Sequence, residues 1–189
     1  MTAKEPKTAI VVGAGPAGLM AADVLSAAGV AVTIMDRMPS AGRKFLMAGK
    51  SGLNLTKIED PAQFDAAFGE APPALRDALA QFGPAQVVAW AEDLGQSVFT
   101  GSTGRVFPTA MKASPLLRAW MDRLTRQGVT LLKRWTWAGW DGDALRFNTP
   151  DGQVSRSADI TILACGGASG GRIGSGGGWA RLLLTYPRP

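Results

Sequence analysis

TAIVVGAGPAGLMAADVLSAAGVAVTIMD, residues 8–36, is the stretch that decides the fold. Ala9, Ile10, Val11 and Val12 form the short apolar run expected of a strand buried on both faces. Gly13, Gly15 and Gly18 follow at GxGxxG spacing, with Ala14, Pro16 and Ala17 between them, and lead into an alanine- and leucine-rich helical segment. Gly29 stands where a helix C′ residue belongs. Ala31 to Met35 then reads as a second strand, which delivers the acid Asp36. In this context the motif implies dinucleotide binding rather than an ordinary glycine turn. Gly13 permits the tight turn, Gly15 lets backbone N–H groups approach a pyrophosphate, and Gly18 lets the helix pack against the strand. The positive end of the helix faces the phosphates. Asp36, 23 residues after Gly13, is placed for ribose hydroxyls. Its charge opposes a 2′-phosphate, an effect the neighbouring cation Arg37 softens.

Composition narrows the class. The chain has 189 residues, 46% hydrophobic, enough for a sizeable core. No apolar stretch reaches the roughly 20 residues of a membrane span, and MTAKEPKT carries no apolar leader core, so no membrane partner is expected. One Cys rules out an internal disulfide framework and fits the cytoplasm. With no His and one Cys, a zinc site is not expected, and a Ser-His-Asp mechanism is excluded. The formal charge of +5 is spread along the chain among acids. Without a Lys/Arg block or a stacking platform, nucleic acid is not an expected partner.

After Asp36 comes RMPSAGRKFLMAGKSGLNLT. Arg43, Lys44 and Lys50, with Ser51, Gly52, Asn54 and Thr56, suit phosphate and ribityl oxygens. The apolar Phe45, Leu46, Met47, Leu53 and Leu55 argue against a merely solvated loop. Residues 57–98 read as mainly helical, with Gly83-Pro84 opening the last helix through Leu94. Trp90 lies on that helix's apolar face and belongs to the core. Residues 99–112 read as a glycine loop in which Arg105 and Lys112 could meet an anion. Ser114 and Pro115 then start a helix closed by Gly128. Residues 129–157 read as a small antiparallel meander with strands at Val129–Leu132, Trp135–Trp140 and Ala144–Asn148. Trp135, Trp137 and Trp140 resemble an aromatic box, although Trp135 and Trp137 alternate on one face of their strand and equally suit packing. Ile160 to Leu163 read as another buried strand, ending in Ala164-Cys165-Gly166-Gly167 where a ligand would lie in an open parallel sheet. Cys165 reads as a small buried filler rather than a redox thiol.

Four blocks together resemble the BaiN-like, aminoacetone-oxidase-type family of bacterial FAD-binding flavoproteins. They are GAGPAGLMAA at 13–22, GRKFLMAGKSGLNLT at 42–56, GRVFPTAMKASPLLRAW at 104–120 and ADITILACGGAS at 158–169. The second and third are the more specific. The resemblance implies an α/β, Rossmann-like domain of the two-dinucleotide-binding type, with a central parallel sheet and a small antiparallel meander. FAD would extend across it. Gly13, Gly15, Gly18 and Asp36 would hold the ADP part, and Arg43, Lys44, Ser51, Gly52, Asn54 and Thr56 would lie along the pyrophosphate and flavin side. The backbone near Trp137 would meet the adenine, and Ala164, Cys165, Gly166 and Gly167 would pass beneath the cofactor. The family usually has an acid where this chain has Gly176. Its members are longer, with an inserted substrate domain and a returning C-terminal segment.

The expectation is therefore an FAD-binding domain over 1–175 and an atypical tail over 176–189, the N-terminal portion of a truncated flavin oxidoreductase. Its partner would be a small-molecule substrate, with NAD(P)H as a candidate electron donor. No residue reads as a catalytic acid or base. An NAD-dependent dehydrogenase domain explains residues 1–36 equally well but not the GRK…SGLNLT stretch. A catalytically inert nucleotide-binding module is the other alternative. Residues 1–189 alone are expected to retain FAD weakly.

Overall fold

The computed structural model describes residues 5–167 and 176–186. In chain order the elements are β1 (Thr8–Val12), α1 (Pro16–Ala27), β2 (Ala31–Asp36), α2 (Arg43–Ala48), β3 (Thr56–Lys57), α3 (Pro61–Ala66), α4 (Pro73–Gln81), α5 (Pro84–Asp93), β4 (Val98–Thr100), β5 (Arg105–Pro108), α6 (Ala113–Arg126), β6 (Thr130–Lys133), β7 (Thr136–Asp141), β8 (Ala144–Thr149), β9 (Gly152–Arg156), β10 (Ile160–Leu163) and α7 (Trp179–Leu183). They fall into two units, Met1–Phe45 with Met121–Pro189, and Leu46–Trp120.

The first unit is α/β and carries a four-stranded parallel sheet in the order β10-β1-β2-β6. Val11 pairs with Ile34 on one side and Ile162 on the other, and Ile34 pairs in turn with Leu131. The continuous apolar run of β1 is explained by cover on both faces. Ile10, Val12 and Met35 pack on Trp137, Leu145 and Phe147 of the antiparallel β7-β8-β9 sheet. Strand alternation turns Ala9 and Val11 the other way, toward α1, whose Leu19 and Ala22 are fully buried. The buried Asp23 of α1 faces the Arg123 guanidinium of α6 at 3.7 Å, and the Ser26 hydroxyl donates to Gln127 Oε1 at 2.9 Å.

The β1–α1 crossover is closed by glycine. Gly13 adopts φ +111° and donates its N–H to the Met35 carbonyl at 2.8 Å. A Cβ on Gly18 would overlap the Gly13 carbonyl oxygen. Gly29, at φ +81°, ends α1 as its position predicts, with the Val30 N–H returning to the Leu25 carbonyl.

The second unit holds a three-stranded antiparallel sheet, β3-β5-β4, and helices α3 to α5. Its core is Leu53, Ala91, Leu94, Val106, Leu116 and Trp120, with Trp90 edge-on to Trp120 at 4.7 Å. Gly83 caps α5 and Pro84 opens it, as the sequence predicts.

Four local expectations are corrected. The strand expected to open the meander, near 129–132, instead joins the parallel sheet as β6, and the meander is completed by β9, which the sequence reading passed over. β6 is apolar on its half-buried Leu131 and Leu132, a pattern that fits either sheet. The loop expected over 37–56 contains the short helix α2. Residues 98–108 form a hairpin rather than an open glycine loop, because Phe99 and Phe107 pair across it. Helix α6 already includes Ala113, so Ser114 sits inside its first turn. Ala168 and Ser169 of the fourth block, the run 170–175 and residues 187–189 of the expected tail lie outside the described residues.

Replacing Gly18 by Ala is expected to destabilise the protein by about 2–3 kcal/mol, since helix and strand must separate to admit the methyl group. Chemical denaturation of G18A beside wild type checks this, and an unchanged midpoint would contradict it.

Candidate nucleotide-binding site

The first unit has a cleft of about 480 Å³ at the carboxyl ends of β1, β2 and β10. This is where ligands lie in open α/β sheets, and the volume is within the range of small-molecule sites. Val12, Met35, Asp36 and Ala164 reach it from strand ends; Gly13, Ala14, Gly15, Pro16 and Ala17 reach it from the glycine turn.

Helix α1 presents its N-terminus here. Gly15 is the N-cap in an extended conformation with no side-chain cap, and the first turn has no acid. The N–H groups of Ala17 and Gly18 have no intrahelical acceptor at that position, which leaves a positive helix end toward the cleft. A Cβ on Gly15 would touch nothing. The tight contact at Gly18 is the helix–strand packing its spacing predicts, and the open space at Gly15 leaves room for a close backbone approach.

Asp36 lines the same cleft, but its carboxylate also performs a task the sequence did not reveal. Oδ2 accepts the Ala14 N–H at 2.5 Å, and Oδ1 accepts the Met38 N–H at 2.6 Å. The acid thereby holds the glycine turn against the end of β2. Each oxygen keeps a second acceptor position for a ribose hydroxyl. The Ala14 carbonyl accepts the Gly42 N–H at 2.8 Å, which brings the Arg43–Lys44 segment to the turn.

Arg37, Arg43 and Lys44 all line the cleft. The Arg43 Nε is buried without a hydrogen-bond partner. A buried guanidinium donor left unpaired is costly, and an anion in the cleft would satisfy it. The open Gly15, the bare α1 terminus and the Arg43 Nε therefore fit a dinucleotide pyrophosphate.

Trp135, Thr136 and Trp137 form the wall beside Asp36. Trp137 is buried and donates its indole N–H to the Gly139 carbonyl at 2.8 Å, while the Arg156 guanidinium lies 5.5 Å from the Trp135 ring centre. Ala164, Cys165 and Gly166 line the cleft at the end of β10, whereas Gly167 and Gly18 do not. Burial, followed by the Asp36 charge, raises the Cys165 pKa to about 11. That agrees with a packing residue rather than a redox thiol.

Ser51, Gly52, Asn54 and Thr56 belong to the second unit, as do Arg105 and Lys112. The cleft of the first unit is lined without them. Sequence reasoning missed Met38, Ser40, Gly177, Gly178, Trp179 and Leu182, which also line it. The last four come from the segment expected to be a tail. No group of His, Cys, Asp and Glu able to hold a metal ion occurs among the described residues, nor does any helix long and apolar enough to cross a membrane.

A βαβ crossover with a glycine turn, an acid ending its second strand and an open cleft over the helix terminus defines a Rossmann dinucleotide-binding domain. The chain belongs to the HI0933-like protein Rossmann domain family, whose model matches residues 7–186. The match runs through α7 and so includes most of the segment set apart as a tail.

A ribosomal RNA dihydrouridine synthase of Haemophilus influenzae is 31% identical over 99 residues, 52% of this chain and 24% of that protein. The chain thus spans about a quarter of the length of this curated relative. Among solved structures, a 3-ketosteroid-delta4-(5alpha)-dehydrogenase from Rhodococcus jostii superposes with a TM-score of 0.61 at 15% identity, over 88% of this chain and 47% of that one. A flavocytochrome c3 fumarate reductase gives 0.57 at 20% identity, over 88% and 34%. At such identities the likeness establishes the fold.

The pKa of Cys165 predicts its chemistry. At pH 8 about one thiol in a thousand is ionised when the pKa is near 11. Alkylation by iodoacetamide is therefore expected to be slow at pH 8 and to rise steeply with pH in the folded protein. Rapid labelling at pH 8 without unfolding would contradict the burial argument.

Proposed function

We propose that the cleft holds FAD, with the pyrophosphate at the β1–α1 turn and Arg43, and the adenosine ribose at Asp36. In this reading the whole protein is a cytoplasmic oxidoreductase acting on a small molecule, with NAD(P)H as electron donor. The observation that carries it is the pairing of an open Gly15 with a buried, unpartnered Arg43 Nε on one cleft. Together they favour a ligand that brings negative charge and needs close backbone approach.

When bound, the isoalloxazine would supply the hydride chemistry. This chain's own residues bind and orient. The α1 terminus and Arg43 neutralise the diphosphate; Lys44 and Arg37 add positive charge at the same cleft. Asp36 accepts ribose hydroxyls while holding Ala14 and Met38. The backbone near Trp137 meets the adenine, and Ala164 to Gly166 pass beneath the cofactor. The roles of Ser51, Gly52, Asn54 and Thr56 along the flavin side rest on the family resemblance.

The curated relative supports a second reading, in which the whole protein's substrate is a uridine of ribosomal RNA rather than a free small molecule. The dispersed cations of this chain weigh against an RNA partner. Loss of a dihydrouridine from ribosomal RNA in cells lacking the complete gene would favour the RNA reading; its retention would favour the small molecule.

The cofactor assignment is tested by titrating FAD into the chain and following flavin fluorescence. Saturable binding is expected, with NAD failing to displace it at equal concentration. Gly15→Ala should keep the wild-type Tm yet weaken FAD binding about tenfold or more, because the methyl group occupies space the phosphate needs. Displacement by NAD would favour the dehydrogenase alternative, and wild-type FAD affinity in G15A would remove the phosphate from this turn.

A further inference from the structure

The short helix α7 is fastened to the first unit by two indole hydrogen bonds. Trp179 Nε1–H donates to the Gly166 carbonyl at 2.9 Å, and Trp140 Nε1–H donates to the Leu182 carbonyl at 3.2 Å. Trp179 and Leu182 also pack against the core cluster that contains Trp137 and Phe147. Both residues line the cleft, as do Gly166 and Cys165. Gly166 itself adopts φ +74°, a left-handed conformation that favours glycine.

These facts converge on one loop. The chain leaving β10 has glycine freedom where a ligand would contact it, so something must choose its conformation. The Ala164 N–H is held by the Val12 carbonyl at 2.8 Å, which fixes the start of the loop. Two residues further on, the Trp179 indole holds Gly166. Tryptophan is suited to this because its ring packs on the core while its single N–H points to a fixed acceptor.

We propose that Trp179 is a positioning residue for the cofactor cleft, acting through the Gly166 carbonyl to hold the β10 loop in its ligand-ready form. The inference rests on the FAD reading and adds to it: α7 is a working wall of the site. Removing the indole N–H frees Gly166 to sample other conformations, and the ligand must then order the loop as it binds.

The experiment compares wild type with Trp179→Phe, which keeps an aromatic ring but loses the donor, and with Trp179→Ala. Three quantities are read: FAD affinity by fluorescence titration, Tm, and the rate at which Cys165 reacts with iodoacetamide at pH 8. The expected result for W179F is FAD binding weakened by about three- to tenfold, the loss of one hydrogen bond. Cys165, adjacent to Gly166, should react faster, and Tm should stay close to wild type. W179A should show the same changes more strongly. Should the Ala variant fail to fold, Gly166→Ala perturbs the same loop from its other partner and should likewise weaken FAD binding and expose Cys165. Wild-type affinity and wild-type Cys165 reactivity in W179F would overturn the proposal. A fall in affinity accompanied by a large fall in Tm would overturn it too, by making the role merely structural. If wild type itself binds no FAD, the cofactor reading falls and this inference with it; if wild type binds and W179F is indistinguishable, only this inference falls.

Discussion

The approach of Gly18 to the Gly13 carbonyl is the constraint on which the first unit depends. With no side chain at that point, α1 lies directly on the end of β1, and its first-turn N–H groups point over the strand end. Any Cβ there would push helix from strand and withdraw the positive helix terminus from the cleft. The closeness that completes the core also brings the positive helix terminus over the cleft.

Asp36 adds a second coupling. A carboxylate at a cleft could serve a ligand alone, but here both oxygens accept backbone N–H groups, one from the glycine turn and one from the residue pair after β2. The acid is consequently oriented by the fold itself, so a ligand that met it would pay little to order it. The neighbouring Cys165 shows the other side of the same field. Burial and the Asp36 charge both disfavour its thiolate.

The walls of the cleft come from parts of the chain far apart in sequence. Trp135 enters from the β6–β7 connection, Trp137 from β7 and Trp179 from α7, each tied by indole or backbone hydrogen bonds to its surroundings. Such an arrangement frames the glycine turn, whose own packing rests on little more than the buried Ala14. The second unit has its own small core around Trp120 and Val106. That core accounts for Leu53, which is buried in it, whereas Leu46 and Met47 remain exposed despite the expectation that the apolar residues of this stretch pack.

The local code of residues 8–36 determined the crossover, the helix terminus and the acid, because each depends on neighbours within a few turns of chain. Glycine spacing, the apolar run and Gly29 sufficed. The sequence also placed α5 through Gly83-Pro84, since capping is a local matter. The partners of each strand were decided only in three dimensions. The apolar pattern of β6 suits a meander or a parallel edge, and pairing with β2 chose the latter. The same holds for the cleft. No local signal announces that Asp36 accepts from Ala14, that Arg43 is left with a buried unpaired nitrogen, or that Trp179 holds Gly166. These arrangements join segments separated in sequence, and their energies exist only once the fold has brought them together.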